Sequence, residues 1–68
     1  VSTYYEKLEI VGVSSKSYED AIQNAVKEAE SRFSELRWFE VVEFRGGIND
    51  DKSIQYQVVL KIAAKKGN

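Results

Sequence analysis

The sequence has no cysteine, no histidine and no proline, and only four glycines among its 68 residues. Without cysteine there is no disulfide to staple a small fold and no thiolate to hold a metal. Without histidine, the commonest transition-metal ligand and the commonest general base near neutral pH are both missing. An active site would have to be built from carboxylates, Lys, Tyr and Ser, and no pair of these stands in a recognisable arrangement. The reading is therefore of a protein that is not an enzyme. No apolar run approaches the roughly 20 residues of a membrane span. The opening stretch from Val1 to Lys7 is polar and mixed in charge, unlike a signal peptide. Together with the missing cysteine, this predicts a cytoplasmic protein with no membrane partner. Excess charge of one sign is also absent: 10 basic residues face 11 acidic ones, with a pI near 5.4. A nucleic-acid partner, which calls for a basic face, is not expected. Single-stranded binding by strand aromatics is disfavoured for the same reason.

What is present is one short, highly regular module, a single domain over residues 1–68. A chain of this length buries a modest fraction of its surface and usually needs disulfides, a metal or partner subunits. With the first excluded and the second without its usual ligands, self-association is the aid that remains.

The stretch from Tyr4 to Gly12 alternates polar and apolar residues and predicts a strand, with Leu8 and Ile10 on one face and Lys7 and Glu9 on the other. Gly12 is read as its end. Ser14-Ser15-Lys16-Ser17 forms a turn, and Ser17 followed by Asp20 resembles a capping box. Tyr18, Ala21, Ile22, Ala25, Val26, Ala29, Phe33 and Leu36 then recur at helical spacing, predicting an amphipathic helix of about five turns. Its three alanines allow close approach to a sheet. A second strand from roughly Trp38 to Ile48 carries apolar residues on both faces, which requires cover on both sides or a bend or bulge. Gly46-Gly47 and Asn49-Asp50-Asp51 form the next turn. A third strand runs from Ile54 to about Lys65, with Ile54, Tyr56, Val58, Leu60 and Ile62 on one face and Gln55, Gln57, Val59, Lys61 and Lys65 on the other. Lys66 to Asn68 is read as a frayed tail.

The fold class is thus α+β: a β-α-β-β order, a three-stranded antiparallel sheet, and one amphipathic helix packed on one face. The other face keeps Val11, Val59 and part of the second strand with nothing in the chain to cover them, a patch of the kind that marks interfaces. Asn49, Asp50 and Asp51 lack the remaining ligand pattern of a Ca²⁺ loop and read as a turn. Gly46-Gly47 precedes no helix N-terminus and so cradles no phosphate.

Four stretches carry a resemblance that covers Tyr5 to about Lys65. They are Glu9-Ile10-Val11-Gly12, the Ala-rich helix, Arg37-Trp38-Phe39-Glu40-Val41 with Arg45-Gly46 behind it, and Tyr56-Gln57-Val58. In order, spacing and total length the chain resembles the dodecins, small β-α-β-β proteins that form hollow homododecamers and bind flavins. The resemblance implies a storage or sequestration protein in which two flavins stack on a two-fold axis between one Trp from each subunit. Trp38 matches that Trp, Gln57 the side chain that hydrogen-bonds the pyrimidine-like edge of the ring, and Arg45 the Arg that lines the pocket in bacterial-type members. The implied cofactor is FMN, riboflavin or FAD. Some bacterial members also hold coenzyme A near the three-fold axis. Many carry Gly-Phe-Arg-Leu after the core of the last strand, where this chain has Ala63-Ala64-Lys65-Lys66. Lys65 keeps a positive charge there.

The chemistry of these side chains agrees with such a ligand. An indole is an electron-rich plane that stacks on an electron-poor one, a Gln amide offers a donor and an acceptor on one flat head, and a guanidinium meets ribityl oxygens or a phosphate. Each residue also has a plainer reading. Trp38 can serve as an interface or core aromatic, Gln57 as a solvated strand residue, and Arg45 as a surface charge paired with Glu43 or Asp50. Tyr4 and Tyr5 either cap the sheet or line a neighbour's pocket. The alternative function is a structural oligomeric shell of dodecin type, without flavin or with another small ligand such as coenzyme A.

Overall fold

A computed structural model of the chain describes residues 2–67. The order is β1 (Thr3–Ser14), α1 (Tyr18–Glu30), β2 (Leu36–Ile48) and β3 (Ile54–Gly67), and the three strands form one antiparallel sheet in the order β1-β3-β2. The expected architecture is present. The last strand lies in the centre, so the residues of β3 have a neighbour on both sides.

The helix packs through the small residues the sequence singled out. Ala21, Ala25 and Ala29 are buried against Val58, Leu60 and Ile62 of β3, with Leu8, Ile10, Ile22, Val26 and Leu36 around them. Gly12 is the deepest point of this approach. It does not end β1, which continues to Ser14. A Cβ at Gly12 would stand 2.1 Å from the Ala21 carbonyl oxygen, so the absent side chain is what lets α1 descend onto the sheet.

The helix start is tied to the end of β1. The Asp20 amide donates to Ser17 Oγ at 3.0 Å, the forward half of the expected cap. The reverse half is taken by Ser14, whose hydroxyl donates to Asp20 Oδ2 at 2.6 Å and accepts from the Lys16 amide at 2.9 Å. At the far end the helix stops sooner than its apolar spacing implied. Ser31 Oγ donates back to the Glu28 carbonyl at 2.6 Å, and the amides of Arg32 and Phe33 both turn to the Ala29 carbonyl. The helix therefore has 13 residues. Phe33 lies in the following loop and Leu36 opens β2; both still face the helix side, which is why they continued its apolar stripe.

Strand β2 bulges twice, between Leu36 and Trp38 and between Val41 and Val42's neighbour Glu43. The bulges account for its two-faced apolar pattern. Each extra residue resets the alternation, so that Leu36, Phe39, Val41 and Phe44 share the helix side while Trp38, Glu40, Glu43 and Arg45 share the other. Gly46 and Gly47 are strand residues paired with Tyr56 and Gln55, not part of the turn. The turn is Asn49 to Ser53, closed by the Asn49 amide on the Ser53 carbonyl and by Lys52 at φ 72°. Asp51 Oδ1 accepts from the Ser53 amide and hydroxyl, which holds the Asp51 carboxyl below its ordinary range.

Two further expectations change. Lys66 and Gly67 pair with Tyr4 and Thr3, so β3 outlasts the expected fraying point; Asn68 lies outside the described residues, as does Val1. Lys66 also sets its ammonium 4.9 Å from the centre of the Phe33 ring, and the Lys65 amide bonds the Glu35 carbonyl. Val59 is only 8% exposed, not bare like Val11, because it sits mid-sheet between Val11 and Glu43.

Replacing Gly12 by Ala is expected to lift α1 and destabilise the protein by about 1–3 kcal/mol, the usual cost of overpacking. Gly46→Ala, whose Cβ would meet nothing closer than 3.5 Å, is expected to be tolerated. Urea midpoints measure both, and equal midpoints would refute the close-approach role of Gly12.

Candidate functional site

The three residues singled out by the sequence lie on the sheet face away from the helix. Trp38 is opposite Ala63 of β3, and Arg45 is opposite Gln57. On the other side of β3, Ala63 faces Lys7 and Gln57 faces Val13 of β1. The structure thus places Trp38 in one row across the sheet and joins Arg45 and Gln57 in another. The two rows are six β3 residues apart, about 20 Å at the rise of a strand. Within one protomer, Trp38 does not meet the other two.

The Trp38 row is the better defined. Ala63 is completely buried although it carries only a methyl group. That small side chain leaves a hollow over the central strand, into which β1 and β2 both send aromatic rings. Tyr5 and Trp38 meet there edge to face, with ring centres 4.9 Å apart and planes at 61°. Tyr5 thus has an aromatic partner within its own protomer. The indole N–H donates to Glu40 Oε2 at 3.0 Å, and the Lys7 ammonium reaches the same oxygen at 2.7 Å. Glu40 is two residues beyond Trp38 on the same face. The Lys7 ammonium, foremost, and then the indole N–H hold the Glu40 carboxyl below its ordinary range. Trp38 is nevertheless 41% exposed. An edge-to-face contact with Tyr5 occupies at most one side of an indole, so a flat face stays open.

In the second row, Gln57 is half-buried and donates from Nε2 to Gln55 Oε1 at 2.7 Å. Its own carbonyl oxygen and second N–H remain for another partner. Arg45 is exposed and forms no ion pair with Glu43 or Asp50. The paired-surface-charge reading of Arg45 has no contact behind it. Tyr18, from the helix, packs edge-on against both Phe44 and Tyr56 beneath this end of the sheet.

The helix covers β1 and β3 and barely reaches β2. Phe39, Val41, Val42 and Phe44 are consequently exposed. An apolar groove of about 590 Å³ opens between α1 and β2, lined by Ile22, Val26 and Phe39 with Glu19, Gln23 and Lys27 at its sides. A smaller one of about 290 Å³, bounded by Val26, Leu36, Trp38 and Ile62, continues along the same edge. Among the described residues no group of three or more His, Cys, Asp or Glu is close enough to hold a metal ion, and no helix is long and apolar enough to cross a membrane.

The reading of the sequence missed Glu40 and Lys7. Strand alternation alone would have put Glu40 beside Trp38. Lys7 could not be found that way, because β1 and β2 are not neighbours and their meeting depends on β3 lying between them.

Comparison with known proteins agrees with the fold. The dodecin family model matches residues 4–65. A dodecin of Thermus thermophilus is 45% identical over 58 residues, 85% of this chain and 84% of that protein. A crystal structure of a protein from the same organism superposes with a TM-score of 0.90 at 39% identity, covering 98% of each chain. More distant is the calcium dodecin of Mycobacterium tuberculosis, described with a calcium-binding site, at 26% identity and a TM-score of 0.85 over 94% of this chain and 91% of that one. An α+β sheet in the order β1-β3-β2 under a single helix, matched over nearly its whole length, identifies a small protein of oligomeric type: the chain belongs to the dodecin family.

Proposed function

We propose that this protein binds and sequesters flavin, stacking the rings in pairs between the Trp38 side chains of two protomers in a hollow homododecamer. The observation that carries this reading is the state of Trp38. The only tryptophan of the chain stands half-exposed on an open sheet face, held by Tyr5 and Glu40, with a flat side free. A half-exposed aromatic held in place has further burial to gain. An isoalloxazine laid on it adds about 0.5–1.5 kcal/mol of stacking beyond the area covered.

The donor set fits the ligand. Gln57 has one acceptor and one donor uncommitted, the complement of a ring edge that alternates carbonyl and N–H groups. Arg45, which has no carboxylate partner among the described residues, suits a ribityl oxygen or the phosphate of FMN. The separation of the two rows supports a shared site. No single flat ligand spans about 20 Å of strand, so one ring takes its stacking surface and its edge contacts from different copies. A two-fold interface provides this directly, since residue i of one copy meets residue j of the other and the reverse. The uncovered β2 edge and its apolar grooves give copies a reason to associate. When bound, flavin supplies a redox-active and photoactive ring; the residues here orient it and shield it, and none is placed to turn over a substrate. The role proposed is binding.

Riboflavin or FMN added to the purified protein is expected to lose its fluorescence saturably, and Trp38→Ala to abolish the loss while particle size is kept. Unquenched flavin with a normal large particle would instead favour the ligand-free shell or one that holds another molecule such as coenzyme A. Gln57→Ala, removing two hydrogen bonds of about 1 kcal/mol each, is expected to weaken riboflavin roughly tenfold or more without changing the tryptophan emission of the free protein. Unaltered affinity would remove Gln57 from the site.

A further inference from the structure

A stacking platform works best if it is already in place, and the open face contains more than stacking requires. Trp38 could rotate freely on an exposed strand, and freezing such a side chain on binding costs affinity. Three groups oppose that rotation. Tyr5 stands against the ring, Glu40 accepts the hydrogen bond of the indole N–H, and Lys7 holds Glu40 from the other outer strand on the same face. Both bonds converge on one oxygen, Glu40 Oε2. An exposed Lys–Glu pair adds little to stability. Stability therefore does not explain why a carboxylate bridges two outer strands over the central one.

We propose that Glu40, steadied by Lys7, is the positioning residue of Trp38, fixing the plane of the indole and drawing on its N–H so that the ring stays electron-rich before a ligand arrives. This rests on the flavin reading for the identity of the ligand, but the preorganisation of the indole is a property of the protein alone. The hydrogen bond is charge-assisted, and so stronger and more directional than one to a neutral acceptor. Electron density pushed into the indole favours an electron-poor partner. Alanine at 63 is part of the device, since a larger side chain would fill the hollow through which Lys7 and Tyr5 reach across. The groups that face Glu40 are Lys7 from β1, Lys61 opposite it on β3 and Trp38 on its own strand, with Glu9 beyond Lys61. Two cations and one donor keep the carboxylate ionised until well below neutral pH, so the arrangement persists throughout the physiological range and fails only on acidification.

Because Trp38 is the only tryptophan, one indole N–H resonance and one fluorescence anisotropy decay report on it without ambiguity. In the ligand-free protein, Glu40→Ala is expected to move the indole N–H resonance upfield and to speed the anisotropy decay. Riboflavin affinity is expected to fall roughly two- to tenfold, with particle size and urea midpoint unchanged. Glu40→Gln, which still offers an amide oxygen, is expected to recover most of the rigidity and affinity but only part of the shift. Glu43→Gln, on the same face but away from the indole, serves as the control and is expected to behave as wild type. Acidifying the wild-type protein through the depressed Glu40 titration is expected to reproduce the Ala resonance, and that variant's own resonance is expected not to titrate. An indole as rigid in Glu40→Ala as in wild type, with the same resonance, overturns the proposal; so does a wild-type resonance indifferent to acid. Should wild type bind no riboflavin, the flavin reading fails while the two ligand-free measurements still decide the role of Glu40.

Discussion

The meeting of two outer strands above Ala63 is the contact on which the functional face depends. In a three-stranded sheet the outer strands are separated by the central one, and ordinary side chains on it keep their neighbours apart. A methyl group at the centre removes that barrier. Tyr5 and Lys7 from β1 then reach Trp38 and Glu40 from β2, and four residues from separate parts of the chain become one cluster. The indole is held without being buried, which is the condition a binding surface has to meet.

The rest of the architecture concerns the opposite face. The helix follows β1 and β3, where Gly12 and three alanines let it sit close, and barely reaches β2. Strand β2 is left with exposed apolar residues on both sides and a free edge. In an isolated small domain this would invite indiscriminate strand pairing. In a member of an oligomeric family such a surface is suited to contact with a second copy. On the proposed reading, the same deficiency drives association and brings Trp38 of one copy near another. The proposed ligand site and the proposed association then share one feature, the incomplete cover of β2.

Much of this was legible from residue order alone. Alternation in Tyr4 to Gly12 and Ile54 to Lys65, the Ala stripe and the Asn-Asp turn point to the β-α-β-β order. Two-faced hydrophobicity in β2 left cover on both faces, a bend or a bulge as alternatives, of which the bulge is present. Misreadings fell where local chemistry overrode periodicity. Ser31 ended the helix by bonding its own backbone while Phe33 and Leu36 kept the apolar spacing through the loop. Gly12 reads as a terminator because glycine breaks strands on average, whereas here it makes room for the Ala21 carbonyl. At the site, Trp38, Gln57 and Arg45 were identified through family resemblance, and the structure adds that they share one face. Their distance apart, and the Lys7–Glu40 bridge, required knowing that β3 lies between the other two strands. Pairing between non-neighbouring strands leaves no local trace in a sequence.

The central claim is that a flavin ring takes its stacking surface from one protomer and its edge contacts from another. A crystal structure of the assembled particle grown with riboflavin tests it directly. The account predicts the ring lying flat on Trp38 at a two-fold axis, a second flavin against its other side, and the Gln57 amide at its edge supplied by the neighbouring copy. An indole enclosed within its own subunit, or a ring bound away from Trp38, would contradict it.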